Sequence, residues 1–194
     1  ETTSMVRLCL TMEKVGNDWA LKTLEAWRLV QQMLADVTQT VADDAVNERE
    51  LLEGLRVVAK VTGLCTELSV EADAERPRFF DMCSDSRMVG GPNPDGRYLL
   101  AMIRGDRTYR VTGTRGSTAY LGFQVLAGTG LTPRRMAAYL SDTDLKLDSG
   151  SFTLVFAATE PADLGDAQWV PIPPDASSIV VREYIGDATT EEPA

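Results

Sequence analysis

The stretch 97–126, RYLLAMIRGDRTYRVTGTRGSTAYLGFQVL, constrains the fold most. Residues 98–103 form an apolar run ended by Gly105-Asp106, a tight-turn signal. In Tyr109-Arg110-Val111-Thr112 the apolar and polar side chains alternate, as on a half-buried strand. Residues 113–116 read as a second turn, and 120–126 as a third strand richer in apolar residues. Three strands joined by tight turns predict an antiparallel meander.

The chain before this stretch has a different period. Ala20, Leu24, Trp27, Leu34, Val37 and Val41 recur at spacings of three and four, which predicts an amphipathic helix over about 17–41 with Asn17 or Asp18 as its cap. The same argument, from Leu51, Leu55, Val58, Thr62 and Cys65, predicts a second helix over about 46–70, with Gly54 and Gly63 as points of close packing. Cys65 falls on its buried stripe. Trp19 and Trp27 read as core or interface anchors, because an indole buries so much area. Two such helices joined by a short acidic loop make a hairpin whose apolar face needs a partner. Residues 78–83 read as a short helical turn, and 87–96, RMVGGPNPDG, as the loop that separates the two parts.

Beyond the meander, residues 133–140 read as one or two helical turns. Leu145, Leu147 and Asp148-Ser149-Gly150 predict a hairpin into residues 152–156. Residues 161–175 read as a long loop carrying Trp169, and 178–185 as a final strand. The expected architecture is therefore α+β, with a helical N-terminal region over 1–86 and an antiparallel β-sandwich, immunoglobulin- or jelly-roll-like, over 87–194.

Charge and composition exclude several functions. Lys plus Arg number 19 against 29 Asp plus Glu, a net charge of −10, which disfavours duplex DNA and anionic membranes as partners. No apolar run approaches the roughly 20 residues of a membrane helix. Histidine is absent, so a Ser-His-Asp triad, a Cys-His dyad and a histidine-liganded zinc are excluded. Cys9, Cys65 and Cys83 show no C-x-x-C spacing and suit a reducing, cytoplasmic compartment, with pairing between any two of them left open. Residues 142–148 alternate oxygen-bearing side chains but lack the glycine and terminal glutamate of a calcium loop, and no nucleotide-binding glycine motif occurs. No metal and no cofactor is therefore expected.

The arginines of the central stretch are unusually dense for an acidic chain: Arg97, Arg104, Arg107, Arg110 and Arg115. They read either as strand-edge charges paired with Asp85, Asp95, Asp106 and Asp187, or as a site for a carboxylate or phosphate.

Several motifs together resemble a known family. They are Asn93-Pro94-Asp95, Ile103-Arg104-Gly105-Asp106-Arg107-Thr108-Tyr109-Arg110, Gly113-Thr114-Arg115-Gly116, Tyr120-Leu121-Gly122-Phe123-Gln124, Gly150-Ser151-Phe152, Trp169-Val170-Pro171-Ile172-Pro173-Pro174-Asp175-Ala176 and Val181-Arg182-Glu183-Tyr184. The chain from about residue 45 onward resembles the bacterial family catalogued as domain of unknown function 1254, usually coupled to a domain catalogued as 1214. The resemblance implies a β-sandwich preceded by helices and a second β domain beyond Glu192-Pro193-Ala194. It implies no catalytic residues.

The expected function is that of a binding or assembly module, in a homo-oligomer or with a second chain that supplies the further domain. The alternative is an enzyme acting on a small anionic or carbonyl-bearing metabolite. In that reading Arg104, Arg107 and Arg115 hold the anion, while Tyr98, Tyr109, Tyr120 or Tyr184 with Glu183 moves protons. The candidate ligand-binding residues are Arg104, Arg107, Tyr109, Arg115, Tyr120, Arg182, Glu183 and Tyr184.

Overall fold

A computed structural model describes residues 18–84, 87, 93–130 and 132–194, with side chains from residue 21 onward in the first helix. The expectations for Cys9, Asn17, Asp85 and the Trp19 side chain lie outside the described residues. The chain divides into two compact units, Glu1–Val58 and Ala59–Ala194, with the boundary inside the second helix.

The first unit is the predicted hairpin. Helix α1 spans Asp18–Asp44 and helix α2 spans Glu48–Thr66. Asn47 caps α2: its Oδ1 accepts the Glu50 N–H at 3.0 Å, while the Glu50 carboxylate takes the Val46 N–H at 3.2 Å. Both contacts satisfy donors at the turn. Gly54 lets the helices meet, since a Cβ there would lie 2.5 Å from Val41 Cγ1. Gly63, by contrast, has open space around it. Trp27 is 57% exposed, so it is no core anchor.

The second unit opens on the last turns of α2 and a π-helical turn, Glu67–Glu71. Cys65 is exposed, against expectation; the buried side of this segment is set by Leu64, one residue earlier. Eight strands follow: β1 Phe80–Asp81, β2 Gly96–Met102, β3 Tyr109–Thr114, β4 Tyr120–Ala127, β5 Arg135–Ser141, β6 Ser151–Ala157, β7 Gln168–Pro171 and β8 Ala176–Tyr184. They form two sheets, one of five strands in the order β1-β2-β8-β4-β5 and one of three in the order β3-β6-β7. All pairs are antiparallel except β6 with β7. The class is α+β, helices followed by an antiparallel-rich sandwich, as the sequence implied.

The topology corrects the predicted meander. β2, β3 and β4 do not pair with one another: β8 lies between β2 and β4, and β3 pairs with β6 in the other sheet. The reason is in β8, where Ala176 through Val181 are all buried. A strand buried on both faces belongs in the middle of a sheet, and sequential strands are not bound to pair. Three shorter assignments change as well. Residues 135–140 form β5 rather than helix, because pairing with β4 overrides the helix propensity of Met, Ala and Leu. Phe80-Asp81 adds to the edge of β2 rather than turning, and Trp169 stands on β7 rather than in a loop.

The core lies between the sheets. Ile103, Leu121, Phe123, Val125 and Ile179 face Tyr109, Phe152, Leu154, Phe156 and Val170, with Phe123 and Phe152 edge to face at 5.4 Å. The hairpin into β6 forms as predicted, closed by Ser149 and Gly150 at φ 50° and 85°. The turn after β2 meets a backbone crossing: a Cβ on Gly105 would lie 2.2 Å from the Pro173 carbonyl oxygen and 2.4 Å from that of Pro174. Backbone atoms cannot swing aside, so Gly105→Ala is expected to cost about 1–3 kcal/mol. Chemical denaturation measures this directly, and an unchanged midpoint would refute the close approach.

Candidate functional site

Alternation along a strand sends Leu121, Phe123 and Val125 into the core and the residues between them outward. On the outer face of the five-stranded sheet the registers then align three rows. Gly96, Tyr184 and Tyr120 stand side by side, next to Tyr98, Arg182, Gly122 and Ser141, next to Leu100, Val180, Gln124 and Tyr139. Four of the five tyrosines share this face.

The side chains form one connected layer. Tyr184 packs between Tyr98, at 6.5 Å and edge-on, and Tyr120, tilted at 5.3 Å. The Tyr120 and Tyr139 hydroxyls are hydrogen-bonded at 2.7 Å, and Asn93 Nδ2 donates to the Tyr98 hydroxyl at 2.6 Å. The Arg182 guanidinium lies 5.4 Å above the Tyr98 ring centre, a cation–π contact. Gly122 makes the layer possible: a Cβ there would fall 2.1 Å from the Tyr120 hydroxyl oxygen. Beside Arg182 is a cavity of about 340 Å³, lined by Met82, Asn93, Tyr98, Leu100, Gln124 and Val180 among others. The Arg182 Nε is buried with no hydrogen-bond partner among the described residues.

Two of the phenols are held in the protonated form. The Tyr184 hydroxyl, with burial, holds Tyr98 above the ordinary tyrosine range. Burial, reinforced by the bond to Tyr139, pushes Tyr120 up to about 12. At neutral pH the Tyr98 and Tyr120 hydroxyls beside Arg182 are thus neutral. An unfolded phenol ionises near ~10, so the stabilisation from Tyr120 is complete below that pH and is lost as pH rises through about 12. Ultraviolet titration of the phenolate band is expected to show a late-ionising tyrosine that moves toward the ordinary value in Tyr139→Phe. A titration unchanged by that substitution would contradict the pair.

The other candidate residues are elsewhere. Arg104 and Arg107 share Glu75, at 3.7 and 2.9 Å, and Arg104 is paired with Asp106 at 2.7 Å. Tyr109 lies near them on the three-stranded sheet: its hydroxyl accepts from the Arg104 N–H at 2.8 Å and donates to the Ala74 carbonyl at 3.0 Å. Arg115 is paired with Asp142 and donates to the Thr118 carbonyl. Glu183 points to the opposite side of β8 from Arg182 and Tyr184, where it accepts from Thr118 and from the Ala194 N–H. Arg104, Arg107 and Arg115 therefore do not converge on one anion site, and the proposed relay between Glu183 and the phenols is not assembled. Of the expected aspartate partners, Asp106 is engaged. Within the segment read against calcium, Asp142 serves Arg115 and Asp144 caps the turn after β5 through Ser141.

Tyr139 was not singled out from the sequence, and Gly122 and Gln124 only as members of the motif Tyr120-Leu121-Gly122-Phe123-Gln124. The signal for Tyr139 was strand alternation in residues 135–141, which the helical reading of that stretch conceals.

No protein family profile and no curated protein matches the chain. Among solved structures, an uncharacterised protein from Burkholderia cenocepacia superposes with a TM-score of 0.79 at 29% identity, over 91% of this chain and 49% of that one. The two share a fold. The VPA0106 protein from Vibrio parahaemolyticus is matched over 74% of this chain and 43% of that one, at 15% identity and a TM-score of 0.38, too low to bear on the fold. The chain spans about half the length of these solved structures. Among the described residues no helix is long and apolar enough to cross a membrane.

Proposed function

We propose that this chain is a binding and assembly module that works in an oligomer, docking a second β domain on the aromatic face of its five-stranded sheet. The observation that carries this reading is the partnerless, buried Nε of Arg182 in the middle of a tyrosine layer. Such a donor costs on the order of 1–3 kcal/mol, and a carbonyl or carboxylate of a docked domain relieves it. Tyrosine and arginine are the side chains that dominate interface energetics. Met136, 62% exposed on the neighbouring edge strand, adds adaptable apolar surface.

The half-length match supports the same reading, since the Burkholderia protein has room for a further domain. The resemblance of the motifs quoted above to the domain of unknown function 1254 family supports a β fold for that further domain. A cytoplasmic location is supported by Cys65, which carries an exposed free thiol.

Sedimentation velocity on gently purified protein tests the proposal. The wild type is expected to sediment as an assembly larger than one chain, with itself or with a co-purified partner, and Arg182→Glu to release the single chain. A wild type that runs as a lone monomer, or an assembly indifferent to Arg182→Glu and Tyr139→Ala together, would overturn it.

A further inference from the structure

The sandwich has an opening away from the tyrosine face. β1 covers only Leu99 and Leu100 of β2, so the Ala101-Met102 end of β2 has no neighbouring strand on that side. β3 is likewise an edge strand of its own sheet. The two sheets therefore part along the seam between β2 and β3, and a cavity of about 560 Å³ enters there. Its floor consists of core side chains, Ala101, Ile103, Ile179 and Tyr109, each at most 7% exposed. A strap, residues 74–79, forms its outer wall. The strap is tied at Ala74 by the Tyr109 hydroxyl and at Glu75 by Arg107.

The charges at the mouth do not cancel. Glu75 is the one acid among the lining residues, and Arg107 and Arg104 occupy it. Arg78 lies over the Phe80 ring at 4.6 Å. The Arg110 side chain is exposed and makes no hydrogen bond or ion pair among the described residues. A cavity with an apolar floor and guanidinium groups at the rim suits a molecule that is apolar at one end and anionic at the other.

We propose that the seam between β2 and β3 is a binding site for a fatty monocarboxylate, with the chain against Ala101, Ile103 and Ile179 and the carboxylate on Arg110. The site is distinct from the docking face: it uses the inward residues of β2 and β8, the edge strand β3 and a different arginine. Tyr109 has a positioning role, holding the strap that closes the wall over the ligand.

Isothermal titration with decanoate, and with decanol as the neutral counterpart, tests this below the concentration at which either aggregates. Decanoate is expected to bind saturably to the wild type. Arg110→Glu, an exposed change that leaves the core intact, is expected to weaken it by about tenfold or more, and decanol is expected to bind weakly to both. Ala101→Leu, which fills the floor, is expected to weaken both ligands, while Tyr109→Phe is expected to speed decanoate release. No saturable heat with the wild type would overturn the proposal. So would an affinity for decanoate that Arg110→Glu leaves unchanged.

Discussion

Phe156→Ala is expected to destabilise the sandwich by about 3–5 kcal/mol, the cost of emptying a large aromatic site that neighbours cannot refill. Phe156 is fully buried on β6, opposite Tyr109 on one side and Val170 on the other. Both neighbours belong to strands whose register is fixed by backbone pairing, so neither can slide into the gap without breaking its ladder. The loss is a large part of what holds a domain of this size together. The guanidinium midpoint should fall with the slope unchanged, because the surface exposed on unfolding barely alters. Thr153→Ala, facing outward on the same strand, is the control and should shift stability by no more than about 0.5 kcal/mol. Equal effects at the two positions would mean that the inward and outward faces of β6 are misassigned.

Periodicity in the sequence carried the fold class. The spacing of three and four in the first helix and the alternation in the later segments are local properties, and the structure reproduces both kinds of element. The pairing of strands is not local. Nothing within residues 97–126 says that β2 and β4 will each prefer β8 as a neighbour, some eighty residues downstream of β2. That preference comes from β8 being buried on both faces, which becomes visible only when all the strands compete for one central position. The same competition turned residues 135–140 into a strand and hid Tyr139 from the candidate set. The arginine cluster misled for a related reason: closeness in sequence across turns placed Arg104, Arg107 and Arg115 together, while the structure joins Arg104 and Arg107 through Glu75 and holds Arg115 apart on Asp142. What the sequence did carry about the site is the tyrosine and arginine content of β2, β4 and β8, three strands that meet on one face.

Within Arg182-Glu183-Tyr184 the consequence of strand alternation becomes measurable, since the middle residue serves stability and its neighbours serve the surface. The Glu183 side chain is 4% exposed and has Arg97 Nη1 at 3.9 Å. It accepts the Thr118 hydroxyl at 3.1 Å and the Ala194 N–H at 2.7 Å. Thr118 is itself buried, and among the described residues its hydroxyl donates to no acceptor but the Glu183 carboxylate. Arg97, at 42% exposure, keeps its water and does not become a stranded charge. The expected cost of Glu183→Ala is therefore that of orphaned buried donors, about 2–3 kcal/mol. It should come with release of the terminal segment, whose other ties among the described residues are the two bonds between Ser117 and Glu192 and that from the Gly186 N–H to the Glu191 carboxylate. Arg182→Ala, one residue away, removes a stem and a cation–π contact from the outer face and should cost no more than about 1 kcal/mol. Denaturation curves separate the two variants, and hydrogen exchange over residues 187–194 should rise in Glu183→Ala alone. Equal stability of the two, or protection of that segment persisting without the Glu183 carboxylate, would show that the buried network does not anchor it.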